Sequence, residues 1–241
     1  VTQEIPAHSA IEPGILYFGT PVVLVSTENE DGTANLAPIS SVFWLGWRAV
    51  LGIARSSRTT ENLLRTGEAV LNLPSAALAP EVDRLALTTG SDPVPPGKQR
   101  RGYFHVGDKF GRAGLTPVAS ETVGAPRVAE CPVAMEVVIE ETHPVGASVR
   151  AAGVPAGPSG ILAVEARVQR VFVHDEIRVA DKENHIDPDA WRPLIMSFQQ
   201  LYGLGPRVHP STLARIPEER YRGPDIDRAR ETPAKDGASA A

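Results

Sequence analysis

Residues 22–37 read VVLVSTENEDGTANLA, and this stretch decides the fold class. Six residues rich in β-branched side chains (22–27) run into the turn-forming Asn29-Glu30-Asp31-Gly32, and the chain then reverses into 33–37. That is the pattern of a β-hairpin. Outward from it, 49–54 (AVLGIA), 69–73 (AVLNL, ended by Pro74) and 134–140 (AMEVVIE) are further strands. Leu162, Val164, Ala166 and Val168 alternate with Glu165, Arg167 and Gln169, as in a half-buried strand. The apolar phase shifts at Gln169-Arg170, so that Val171 and Val173 line up instead, which predicts a bulge. Most of these strands follow one another without a full crossover helix, so antiparallel pairing and a barrel are favoured over a doubly wound sheet.

Helices are expected to be short. Residues 59–66 carry Leu63 and Leu64 among polar neighbours and stop at Gly67, a good residue for the position after a helix. A second short helix is expected around 76–86, before a polar loop (88–98) with Pro93, Pro95 and Pro96. In 188–203, Trp191, Leu194, Ile195, Phe198 and Leu201 recur at helical spacing and predict a packed C-terminal helix. From Gly223 onward the residues are polar, charged, small or Pro. The expectation is a mainly β protein, a β-barrel with a few short helices. It would form a single domain over residues 1–222, with a disordered tail over 223–241.

Composition narrows the function classes. The 42% hydrophobic and 22% charged content of the 241 residues suits a globular domain able to bury its own core. A net charge of −5 supplies no broad positive field for a nucleic acid or an anionic membrane. No segment approaches the ~18 apolar residues of a membrane span. No basic patch followed by an apolar run marks a secretory signal, so the cytoplasm is the expected location. The single cysteine, Cys131, lies beside Pro132, Val133 and Ala134 and reads as a buried small hydrophobe; no metal-ligand spacing surrounds it.

Chemistry concentrates in residues 55–62, Arg-Ser-Ser-Arg-Thr-Thr-Glu-Asn. They sit between a strand and a short helix and combine hydroxyls with two guanidinium groups. A helix N-terminus presents unpaired N–H groups and a partial positive charge, so the segment can hold a phosphate monoester. It can equally be an ordinary cap by Ser57 or Thr59 with both arginines solvated. Neither a G-x-x-x-x-G-K-[ST] loop nor a G-x-G-x-x-G fingerprint is present. Arg58 and Thr60 fall in the first turn, where side chains normally face solvent, and are expected to matter to binding more than to folding. A second stretch, 35–42, is an apolar strand broken at Pro38 and followed by Ser40 and Ser41. Alone it reads as a kinked strand end, or as backbone left free for a ligand because Pro38 cannot join a ladder.

Three blocks in register, PVVLVSTENEDGTANLAPISSV, GIARSSRTTENLLRTGEAVLNLPS and DKFGRAGLTPVASETVGAPRVAECPVAMEV, resemble the flavin reductase-like, FMN-binding split-barrel family. Weaker echoes continue at Ala166-Arg167-Val168 and Tyr202-Gly203-Leu204-Gly205. The resemblance implies an antiparallel, Greek-key-like split barrel holding FMN. Asn35, Ala37, Pro38, Ser40 and Ser41 would run beside the ring and ribityl chain. Arg55, Ser56, Ser57, Arg58 and Thr60 would hold the 5′-phosphate, and Asn62 would brace the loop. It also implies a homodimer with flavin at the interface, to which Lys109, Phe110 and the C-terminal helix would contribute from the partner chain. Three functions follow from it. One is an NAD(P)H-dependent flavin reductase feeding a partner oxygenase. Another is an FMN-retaining enzyme acting on a small molecule, or a flavoredoxin-like carrier. The third is a non-catalytic flavin or haem-related binding module. Free-flavin reductases of the family often carry a His ahead of a G-x-V on a late strand, associated with nicotinamide chemistry; Ile161 and Ala166 stand at those places here. His143 lies in another segment and reads as a surface or strand-end residue. No side-chain acid, base or nucleophile stands out as catalytic.

Overall fold

The structure is a computed structural model that describes residues 7–146 and 160–235. Seven strands form the main sheet: β1 (Val23–Glu28), β2 (Ala34–Ile39), β3 (Val42–Leu45), β4 (Arg48–Ala54), β5 (Glu68–Leu73), β6 (Val133–Pro144) and β7 (Ile161–Val173). Their spatial order is β2-β1-β5-β6-β7-β4-β3, and every pairing is antiparallel. The two edge strands, β2 and β3, are joined by Ser40 and Ser41 alone. A three-residue step spans roughly 11 Å at most, so the opposite edges of the sheet must lie close together. The sheet therefore curls into an incompletely closed barrel, a split barrel. Where the chain crosses the split, the Gly52 N–H donates to the Ser41 carbonyl at 2.7 Å. A Cβ on Gly52 would lie 2.9 Å from that of Ser41, so the crossing needs a glycine.

The expected hairpin is β1–β2, and Pro38 sits on an edge strand, the position where a missing N–H costs a sheet least. The bulge is where the sequence phase shifts. Glu136 pairs with Arg170 and Val137 with Val168, leaving Gln169 as the extra residue. The barrel interior is filled by Val23, Val25, Leu51, Leu71, Val137 and Val164, among others. On the outside of β1, Leu24 packs with Leu36, Leu85, Phe110, Leu115 and Cys131 in a second cluster, so β1 is buried on both faces. Burial pushes the Cys131 thiol pKa well up, as suits a packing residue.

Helix α1 (Arg58–Thr66) ends at Gly67 in the left-handed conformation, φ 69°, as its sequence predicts. The second expected helix is a 3₁₀ turn (Ala76–Leu78) continued by α2 (Ala79–Asp83). Two further short helices, α3 (Pro96–Gln99) and α4 (Lys109–Ala113), lie in the long excursion between β5 and β6.

Residues 188–203 do not form the expected helix. Leu194–Ser197 and Gln200–Gly203 make a β-hairpin, and the first of these strands also pairs with Phe18–Pro21. The turn residues Phe198 and Gln199 adopt φ 46° and 62°, which no α-helix contains. The apolar spacing suited either period. Pro193 inside the segment and a free strand to pair with favour the sheet. A C-terminal helix does exist, at α5 (Pro224–Glu231), inside the region expected to be disordered. Its few apolar residues are supplemented by charge: Asp225 pairs with Arg48 at 2.8 Å, Ala229 is buried, and Lys235 beyond it pairs with Glu68 at 2.8 Å. Arg48 also meets Glu165 at 2.5 Å, and these hydrogen-bonded carboxylates hold its guanidinium pKa above the usual arginine value. The last part of the expected tail, 236–241, lies outside the described residues.

Candidate functional site

The start of α1 follows from its residues. Ser57 is the N-cap in extended conformation (φ −97°, ψ 147°), and its Oγ accepts from the Thr60 N–H at 3.0 Å. The Thr60 hydroxyl donates to the Ala54 carbonyl at 2.8 Å and is 1% exposed. Thr60 thus closes the turn between β4 and α1 and does not face solvent as expected, because the hydroxyl satisfies a carbonyl that the turn leaves over. Thr59 and Asn62 are buried on the same face of the helix. The Asn62 amide donates to Thr27 Oγ1 at 3.0 Å and Asn29 Oδ1 at 2.9 Å, tying α1 to the β1–β2 hairpin. Asn35 donates to Thr27 Oγ1 at 3.2 Å and Thr59 Oγ1 at 3.0 Å, while its Oδ1 is buried without a partner.

A cleft of about 210 Å³ opens beside this web. One wall is the β2 stretch Asn35, Ala37, Pro38 and Ile39; Gly52–Ala54 and Ser57–Thr59 form its base. The opposite wall comes from the excursion: Leu85–Gly90, Lys98, Tyr103 and Lys109. Gly90 permits the close approach of the walls, since a Cβ there would lie 2.6 Å from Asn35 Oδ1. Of the residues picked out in the sequence, the cleft brings together Asn35, Ala37, Pro38, Ser57 and Arg58. Ser40, Ser41, Arg55, Ser56, Thr60 and Asn62 stand outside its wall, with Arg55 and Ser56 exposed and the last two buried behind it.

The lining carries cations and no carboxylate. Arg58 is already engaged, through Nε to the Gly90 carbonyl at 3.2 Å and through Nη1 to Glu61 at 2.9 Å. Lys98 donates to Thr89 Oγ1 at 3.2 Å, and burial, followed by the charge of Arg101, lowers its pKa. Lys109 is 3% exposed, with no hydrogen bond or ion pair among the described residues. Burial, with a smaller contribution from Lys98, pushes its pKa down to about 8. Lys109 lines this chain's own cleft, and Phe110 packs into this chain's second cluster.

Sequence reasoning passed over Lys98, Thr89, Gly90 and Tyr103. One signal was available: no acidic residue lies between Asp92 and Asp108, while Lys98, Arg100 and Arg101 do. His143 is exposed at the end of β6, beside Glu141 at 3.2 Å. Among the described residues no cluster of three or more potential metal ligands occurs, and no helix is long and apolar enough to cross a membrane.

Comparison with known proteins agrees with this architecture. The flavin reductase like domain matches residues 15–194. The uncharacterized protein YdfE of Bacillus subtilis (strain 168) is 36% identical over 206 residues, covering 86% of this chain and 94% of that protein. Among solved structures, flavoredoxin of Desulfovibrio vulgaris (Miyazaki F) superposes with a TM-score of 0.67 at 19% identity, over 87% of this chain and 100% of that one. Nitrilotriacetate monooxygenase component B from Bacillus cereus gives 0.65 at 20% identity, over 86% and 100%.

Proposed function

The chain belongs to the flavin reductase-like family, and on that premise we propose that it is an FMN-binding oxidoreductase whose flavin occupies the cleft between β2 and the excursion. The observation that carries this reading is the donor set of the cleft. A helix N-terminus carrying Ser57 and Arg58, in a lining with no carboxylate, suits a phosphate monoester. The flat wall at Ala37 and Pro38 suits an aromatic ring system. The buried, unpartnered Asn35 Oδ1 is an acceptor for a ligand N–H or O–H, and Gly90 leaves the space such a group needs. A bound flavin would supply the electron and hydride chemistry.

The protein's own residues bind and orient. Ser57 and Arg58 anchor the phosphate, with Arg58 exchanging part of its hold on Glu61 for it. Arg55 and Ser56, exposed at the mouth, are secondary contacts. Leu85 and the 86–90 backbone keep water from the far side. NAD(P)H is one donor consistent with the fold. The structural neighbours include a flavoredoxin and a monooxygenase component B.

Two finer proposals accompany this one. The chain is a cytoplasmic homodimer, its interface drawn from an apolar surface where Phe18 (71% exposed) stacks edge-on against Phe198 at 4.9 Å, next to β3 with Phe43 and Leu45. Sedimentation showing a stable monomer that still binds FMN removes the dimer. The cofactor itself is tested by the absorbance spectrum of the purified protein and by titration with FMN and riboflavin. A charge-assisted hydrogen bond contributes ~1.5–3 kcal/mol, so FMN should bind at least ~10-fold more tightly. Equal affinities remove the phosphate assignment.

A further inference from the structure

The excursion between β5 and β6 leaves the barrel, pairs Thr88-Thr89 in parallel with Phe104-His105, and between them carries α3. This fold-back returns Lys98 and Tyr103 to the cleft wall next to Lys109. The Tyr103 ring lies within cation–π range of Lys98 Nζ at 5.8 Å and of the Arg101 guanidinium at 5.6 Å. The placement is costly: two ammonium groups share a partly enclosed space, and the more buried one has no counter-charge. Buried charges are normally paired, and an unpaired one marks a place where something else supplies the opposite charge. The carboxylate whose charge reaches Lys98, Glu61, is bound to Arg58 at 2.9 Å.

We propose that Lys98 and Lys109 form a second anion subsite, separate from the phosphate anchor at α1, and that it receives a carboxylate or phosphate group of the small molecule that meets the flavin. The electron-exchanging substrate is then an anion, held by one wall of the cleft while the flavin is held by the other. This rests on the reading above, in which the flavin phosphate lies at Ser57 and Arg58. Lys109 fixes the subsite from the base of α4. Lys98 rides on the excursion and completes it, with Thr89 Oγ1 as the hydroxyl that holds the ammonium in place.

The test uses FMN-loaded protein at constant ionic strength, with inorganic phosphate as the probe and the flavin absorbance band as the readout. Wild type is expected to show a saturable spectral change. Lys98→Gln and Lys109→Gln should weaken phosphate at least tenfold while the FMN dissociation constant stays within twofold, and Lys98→Arg should restore binding. The proposal is overturned if FMN-loaded wild type binds no phosphate, or binds it no better than the Gln variants. It is also overturned if either Gln variant loses FMN affinity as steeply as phosphate affinity, since the lysines then hold the flavin's own phosphate. Riboflavin-loaded protein separates the two failures. Equal FMN and riboflavin affinities defeat the α1 anchor, whereas phosphate binding to riboflavin-loaded protein that vanishes in Lys98→Gln still upholds the lysine subsite.

Discussion

The two walls of the cleft reach their charge in opposite ways. At the start of α1, two arginines, four hydroxyls and the Asn62 amide crowd into eight consecutive residues, yet most of their bonding capacity is spent locally. Ser57 caps the helix, Thr60 closes the turn, Asn62 ties down the hairpin and Arg58 holds Glu61 and the Gly90 carbonyl. In the excursion, Lys98 and Lys109 are eleven positions apart among prolines and glycines, and little in the protein neutralises them. A dense polar cluster in sequence is thus partly a description of a well-capped helix. Spare binding capacity sits where polar groups are buried and left over.

The largest consequence falls on Lys109. Its folded pKa of about 8 lies below the ordinary 10.5, so the unfolded chain binds the extra proton more readily. The resulting penalty is full below pH 8 and disappears as pH rises through 10.5. In the ligand-free protein, Lys109→Met should therefore raise the unfolding free energy at pH 7 by up to about 3 kcal/mol, the equivalent of the shift. The gain should shrink toward pH 10.5. Lys98 adds to the penalty from beside it, and Arg58 with Glu61, across the cleft, is a nearly neutral pair. Urea unfolding at pH 7 and pH 10 measures both. Parallel pH dependence in wild type and variant would show that Lys109 is solvated, and the contrast between the walls would then fail.

The next effect concerns Thr60, which the sequence offers as a ligand and the structure as a fastener. Thr60→Val removes the bond to the Ala54 carbonyl and keeps the side-chain volume, so the ligand-free protein should lose about 1 kcal/mol. FMN affinity should stay within threefold. Unchanged stability with a tenfold loss of affinity would return Thr60 to the ligand set.

These cases show how far the sequence could be read. Strands with clear alternation were legible, down to the extra residue at Gln169, because period and phase alone dictate which side chains reach the core. Residues 188–203 were misread because their apolar spacing satisfies both periods and only a distant strand, Phe18–Pro21, decides between them. Helix α5 was missed because ion pairs such as Arg48–Asp225, and not a hydrophobic stripe, hold it. At the cleft, Ser57-Arg58 stood out by local chemistry, whereas β2 was singled out as a binding wall only through the family resemblance. Lys98 was not, since its arrival at the cleft depends on a fold-back that no local pattern announces.

Arg58 carries the smallest expected effect on folding and the finest test of the comparison. Its pair with Glu61 is i,i+3 on a helix, with the two side chains 33% and 50% exposed, and such pairs contribute little. A cation in the first turn also opposes the helix dipole, which offsets the pair. Arg58→Ala should thus change the stability of the ligand-free protein by no more than ~0.5 kcal/mol. With FMN the same change removes a charged contact to the phosphate, but the wild-type arginine must give up part of Glu61 to make it. The net loss should accordingly fall near the lower end for a charge-assisted bond, about tenfold in affinity. Glu61→Gln sharpens the result by freeing Arg58 in advance, and FMN should then bind a few-fold more tightly than to wild type. The measurements are ligand-free melting temperature and FMN dissociation constant for both variants. If Arg58→Ala unfolds the ligand-free protein while affinity in the folded fraction is unchanged, Arg58 belongs with Thr60 among the fasteners. The excursion would then supply all of the cleft's usable charge.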